Sequence, residues 1–201
     1  MTRQRITEIT PEEVDDNELS TMLKESEMLA GDATLQGIVA RRPEIFKGFQ
    51  AFIGAALRGE NSTIEPHIKE LMRLKSAEIN RCTYCSTVRI QDVRNDVAPL
   101  EEDVLGEFTD DNLTEREALA VEFAEKMGGD PNQISDAFFE ELRTEFTDDE
   151  IVELVLTECV YKMGHTISNT LQVGTSEDND YPTDLDYPLA EPKPQTLTSN
   201  D

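Results

Sequence analysis

Over no useful length does this chain alternate apolar and polar residues with period two; its apolar residues return every three or four positions, between residues that start and stop helices. That pattern predicts an all-α domain, because a stripe of period 3.6 buries one face of a helix and would scatter across both faces of a strand. Over residues 43–57, Ile45, Phe46, Phe49, Phe52, Ile53 and Leu57 share one stripe, with Pro43 in the first turn and Gly59 as a stop. A second helix follows Ser62 or Thr63, takes Glu65-Pro66 in its first turn, carries Ile68, Leu71, Met72, Leu74 and Ile79, and ends near Asn80-Arg81. Thr114 and Thr147, each followed three residues later by glutamate, read as capping boxes. The first opens a helix through Met127 that Gly128-Gly129 terminates. The second launches the longest apolar helix, through Met163, expected to be central to the core. Another helix is expected over about residues 132–146.

Three segments emerge: an N-terminal helical arm over residues 1–42 with one helix, an all-α domain over 43–174, and an acidic tail over 175–201. The tail holds four prolines between Tyr181 and Pro194 and supports no regular element. No run approaches the 18 or so apolar residues of a membrane span, and the N-terminus lacks an apolar signal segment. A soluble, cytoplasmic protein without a membrane partner is expected. With 43 acidic against 18 basic residues and a net charge of −25, the chain has no surplus of cations with which to hold phosphates, which argues against nucleic acid as a partner. The same charge fits a salt-adapted surface or an ordinary protein with acidic helix faces and termini; composition does not choose between them.

The chemistry concentrates in Cys82-Thr83-Tyr84-Cys85. Two thiols three residues apart at a helix start can close a disulfide, and the free backbone N–H groups and dipole there favour a thiolate. Three cysteines are too few for a secreted disulfide scaffold and leave Cys159 over. A dithiol couple, half of a metal site and a structural coincidence are all compatible with the pair, although His67, Cys159 and His165 are too scattered to complete a metal set. No cofactor or metal is expected. A helix over about 83–93 would put Cys82, Cys85 and Arg89 along one face.

Glu70 precedes Cys82 by twelve residues, and Arg89 follows Cys85 by four. This spacing, from Glu70-Leu71-Met72-Arg73 through Cys82-Thr83-Tyr84-Cys85 to Arg89, resembles the alkyl hydroperoxidase D and carboxymuconolactone decarboxylase family, over residues 43–174. In that family a histidine usually stands where this chain has Arg89, whose guanidinium stays charged and cannot act as a base. The resemblance implies an all-α homo-oligomer, a trimer or a trimer of dimers, that reduces organic hydroperoxides or disulfides. It implies Cys85 as the attacking thiolate, Cys82 as the resolving thiol, Glu70 as proton acceptor and Arg89 as an electrostatic helper or a contact for a substrate carboxylate. A lipoyl group or a thioredoxin-like protein would return the electrons. The alternatives are a lyase like the decarboxylase branch, and a non-catalytic oligomer that kept the fold.

Other groups have plainer expectations. Tyr84 packs with its hydroxyl outward. Cys159 is a small hydrophobe on the apolar face of the late helix. Glu158 is solvent-facing or ion-paired, and His67 and His165 lie at the surface.

Overall fold

The computed structural model describes residues 4–60, 62–106 and 109–174; the tail expected over 175–201 lies outside them. Among the described residues the chain is helical, with no strand: α1 (Asn17–Ala30), α2 (Thr34–Val39), α3 (Pro43–Arg58), α4 (Pro66–Ile79), α5 (Thr83–Thr87), α6 (Arg94–Val97), α7 (Glu101–Val104), α8 (Glu115–Gly129), α9 (Asp136–Glu145) and α10 (Asp148–Leu171). The long helices fall where capping and periodicity put them. Thr114 caps α8 and Thr147 caps α10, each closing a reciprocal box with Glu117 or Glu150.

The most enclosed helix is α4 rather than α10. Every residue from Ile68 to Ala77 is buried, so α4 has no solvent face. Its charged residues conceal this in the sequence, and each is matched instead. Lys69 pairs with Glu153 at 2.6 Å and donates to the Ala56 carbonyl at 2.8 Å. Lys75 pairs with Glu78 at 3.1 Å and donates to the Gly106 carbonyl at 3.2 Å. Around α4 the main core draws on α3, α8, α9 and α10 through Ala56, Ile68, Met72, Phe123, Leu142 and Leu154. Burying such side chains contributes about 1.5–3 kcal/mol each.

Two helices, not one, occupy the N-terminal arm. Gly31, at φ 68°, ends α1 in the left-handed conformation and lets the chain reverse into α2. Leu19 and Leu23 of α1 pack with Ala40 and Phe46. The preceding segment lies across α2, where Ile9 N donates to the Gly37 carbonyl at 3.1 Å; a Cβ on Gly37 would sit 2.6 Å from the Ile9 oxygen, so only glycine permits this approach. Leu35 and Ile38 of α2 join Ala77, Cys82, Tyr84, Cys85 and Val88 in the cluster that holds the cysteine pair.

Candidate active site

The turn from α4 to α5 carries Arg81 at φ 53°, and Cys82 follows as the N-cap of α5, its sulfur accepting from the Cys85 N–H at 3.2 Å. One turn of helix separates the two cysteines, so their Cα atoms lie 5.2 Å apart and the sulfurs are joined as a disulfide. Cys82 is fully buried. Cys85 lines an apolar cavity of about 170 Å³ together with Phe49, Tyr84, Arg73, Tyr161 and His165, and its sulfur is 3.7 Å from Ser168 Oγ.

Helix α5 stops at Thr87, short of the expected helix over 83–93, because Val88 turns to extended backbone. Arg89 therefore leaves the face shared by the cysteines. Only 1% exposed, it grips both oxygens of Glu101 at 2.7 and 3.0 Å and donates to the Ser86 carbonyl. The guanidinium beside Cys85 is that of Arg73 instead. It donates to the carbonyls of Cys85 and Val88 and holds Glu70 in a two-point ion pair. Glu70 Oε1 also accepts from the Ile90 N–H at 3.1 Å, so both of its oxygens are engaged. Glu70 does not line the cavity of Cys85; it borders a neighbouring one with Lys69, and Ile90 and Tyr161 are walls of both. The spacing of Glu70 and Cys85 thus brings them together through Arg73. Arg73 sits three residues after Glu70, a spacing at which helical side chains meet, and that was the available signal for it.

Three expectations are overturned on α10. Residues 158, 165 and 168 share its inner face, so Glu158, His165 and Ser168 are buried, whereas Cys159 is exposed. Glu158 Oε1 accepts from the Ser76 hydroxyl, and among the described residues Oε2 has no hydrogen-bond partner. Burial pushes its carboxyl up to about 8, opposed by the Ser76 hydrogen bond and Lys162. His165 Nδ1 is 3.4 Å from the same Ser76 hydroxyl, and burial, with the Arg73 and Lys162 cations, pushes its imidazole down to about 3. Gly128 of α8 lies against this group: a Cβ there would stand at contact distance, 3.4 Å from Glu158 Oε1 and 3.6 Å from Ser76 Oγ. The order carboxyl, hydroxyl, imidazole is not that of a serine nucleophile, whose carboxylate must bind the imidazole. Tyr84 also departs from expectation. Its hydroxyl points inward, donating to Asp32 Oδ1 at 3.1 Å, and burial with the nearby Asp32 holds it well above the usual phenol range. His67 lies partly exposed and 2.8 Å from Glu117 Oε1. Among the described residues no cluster of histidine, cysteine and carboxylates is arranged to hold a metal ion.

No protein-family model matches the sequence, and no curated protein is similar to it. Solved structures do match in shape. A peroxidase-related protein from Silicibacter sp. TM1040 superposes with a TM-score of 0.72 at 18% identity, over 89% of this chain and 96% of that one. A peroxidase-related protein with an alkylhydroperoxidase AhpD core, from Ralstonia eutropha JMP134, gives 0.73 at 16% identity, over 89% and 96%. The chain has the alkyl hydroperoxidase D fold. A variant of the debrominase Bmp8, in complex with 2,3,4-tribromopyrrole, shares it as well, with a TM-score of 0.70 at 14% identity over 89% of this chain and 95% of that one. In each case the match of this alkyl hydroperoxidase D-like chain extends over nearly the whole of the other protein. No helix among the described residues is long and apolar enough to cross a membrane.

Proposed function

We propose that the chain is a thiol oxidoreductase that reduces organic hydroperoxides through a Cys82–Cys85 dithiol and disulfide cycle. The observation that carries this reading is the asymmetry of the pair: Cys85 lines the apolar cavity and Cys82 is sealed behind it. The thiolate of Cys85 attacks the hydroperoxide; Arg73, bonded to the Cys85 carbonyl, favours that thiolate by its charge. The sulfenic acid formed condenses with Cys82, releasing water and restoring the disulfide. A small dithiol, such as a lipoyl group or a thioredoxin-like active site, then reduces it. Glu70 fixes Arg73 in place. Arg89, engaged by Glu101, braces the turn after α5. A non-catalytic role leaves the buried, cavity-facing dithiol without a purpose, and a lyase needs no second cysteine.

A second substrate class has support in the cavity walls. Phe49, Tyr84 and Tyr161 offer aromatic surface, and a debrominase shares the fold, so a halogenated aromatic reduced by the same dithiol fits the site.

Stopped-flow mixing of the reduced protein with cumene hydroperoxide tests the main reading. One equivalent of peroxide should be consumed per dithiol, Cys85→Ser should abolish the reaction, and Cys82→Ser should stop at a sulfenic acid that dimedone traps. Peroxide consumption unaffected by Cys85→Ser would remove the reading.

A further inference from the structure

We propose that Glu158, Ser76 and His165 form a proton relay that opens on the Cys85 cavity and protonates the oxygen leaving from the peroxide. The proposal rests on the thiol peroxidase reading and gives it the acid it lacks. When a thiolate displaces an alkoxide, the alkoxide needs a proton, and Arg89, which stands at the family's histidine position, cannot return one.

The geometry supplies the path. His165 lines the cavity into which Cys85 faces. Its Nδ1 is turned to the Ser76 hydroxyl, which leaves Nε2 as the ring nitrogen for the cavity. Toward a Glu158 carboxylate the one Ser76 proton is donated to Oε1; toward the protonated acid Ser76 accepts from Oε1, its own proton turns to His165 Nδ1, and the neutral imidazole then carries its proton on Nε2. Ser76 in turn is bonded to Glu158, completing a line from α10 through α4 and back to α10.

The orphaned oxygen of Glu158 fixes where the proton starts. Glu158 is fully buried, and among the described residues no group satisfies Oε2. As a carboxylate it would carry a charge with one oxygen unsolvated; as an acid, Oε2 is a neutral carbonyl, far less costly to leave unpaired. Burial, not a neighbouring charge, is what favours the neutral acid. Lys162, on the same helix, favours the anion, while Ser76 and Asn80 of α4 and the side-chain-free Gly128 of α8 bring no further charge. Around His165, the Arg73 and Lys162 cations oppose an imidazolium. The relay thus rests as a neutral acid, a hydroxyl and a neutral imidazole, with a proton to give.

In the oxidation step the Cys85 thiolate forms a bond to the terminal peroxide oxygen, the O–O bond breaks, and the electron pair leaves on the alkoxide. Cys85 becomes the sulfenic acid. The alkoxide takes the proton from His165 Nε2 and departs as alcohol; Ser76 gives its proton to Nδ1 and takes one from Glu158, which ends as the carboxylate. When the dithiol donor reduces the disulfide, its two protons go to Cys82 and Glu158, and the Cys85 thiolate returns.

The test varies the leaving group. Reduced wild type, Glu158→Gln and His165→Gln are each mixed with cumene hydroperoxide, whose alkoxide needs a proton, and with peracetic acid, whose acetate leaves without one. His165→Gln should slow oxidation by cumene hydroperoxide by a factor of about 100, the lower scale of a lost general acid. Glu158→Gln should slow it by a factor on the order of 10, and both variants should react with peracetic acid within about threefold of wild type. Glu158→Gln keeps the neutral shape of the buried acid, so it tests the relay even if His165→Gln fails to fold. Equal slowing with both oxidants, or no slowing with cumene hydroperoxide, overturns the relay while leaving the dithiol reading intact. A wild type inert to both oxidants overturns the dithiol reading, and the relay with it.

Discussion

Arg73 holds Glu70 by two parallel hydrogen bonds, Nε to Oε2 at 2.6 Å and Nη2 to Oε1 at 2.7 Å, and the same guanidinium clasps the backbone carbonyls of Cys85 and Val88. Removing one member strands the other in the interior, which costs about 3–5 kcal/mol when a buried pair is broken. Arg73→Met should therefore lower the unfolding free energy of the oxidised protein by at least about 3 kcal/mol, and adding Glu70→Leu should restore much of it. Urea titration reads both. A loss below about 1 kcal/mol for the single variant would mean that the pair does not hold this turn.

Glu158 and His165 tie stability to pH with opposite signs. Glu158 has a folded pKa of about 8, above its ordinary value of 4.5, so the folded state binds the extra proton between those values and stability falls as pH rises through that window. His165, pushed from 6.5 down to about 3, stays neutral when folded while the unfolded chain takes up a proton; its share of stability is present above 6.5 and is lost as pH falls toward 3. Subtracting the Glu158→Gln curve from wild type should isolate a decline between about 4.5 and 8, amounting to a few kcal/mol at the alkaline end. The His165→Gln difference should lie wholly on the acid side of neutrality. Parallel curves for wild type and Glu158→Gln would place the carboxyl in water.

Tyr84 donates to Asp32 Oδ1, the same oxygen that accepts from the Thr34 N–H at 2.9 Å at the start of α2. Tyr84→Phe removes a hydrogen bond to a buried charged group, worth about 1.5–3 kcal/mol. The thermal midpoint should drop accordingly, and α2, which packs against the disulfide, should exchange its amides faster. Unchanged exchange over residues 34–39 would separate α2 from this contact.

Cys159 is exposed and outside the disulfide. A maleimide should label the oxidised, folded protein once, at Cys159, and leave turnover with cumene hydroperoxide intact. Labelling that stops turnover would place Cys159 in the reaction.

A net charge of −25 repels itself, and screening tightens from about 10 Å at 0.1 M salt to about 3 Å at 1 M. Sodium chloride should raise the thermal midpoint across that range. Phe52, Val152 and Leu156 stay exposed along one groove between α3 and α10, a surface suited to the homo-oligomer that the family resemblance implies, and light scattering in the same salt series reads its assembly. A flat midpoint, or a monomer throughout, would count against the respective expectation.

The sequence by itself determined the helices and the cysteine pair. Capping boxes at Thr114 and Thr147, Pro43 and Pro66 in first turns, and the stop at Gly59 are local chemistry, settled by groups within a few residues of one another, so α3, α4, α8 and α10 are legible without a fold. The Cys-x-x-Cys spacing is equally local. What surrounds that pair was decided by tertiary packing. Glu158 and His165 read as surface groups, and Arg73 does not stand out, because a helix in isolation has a solvent side; α4 and the inner face of α10 lose theirs only when the other helices close around them. Arg89 has the family's spacing from Cys85, yet the chain turns extended at Val88 and a buried Glu101 twelve residues downstream claims the guanidinium. A buried charge must find its partner wherever the fold supplies one, and spacing along the chain does not carry that information.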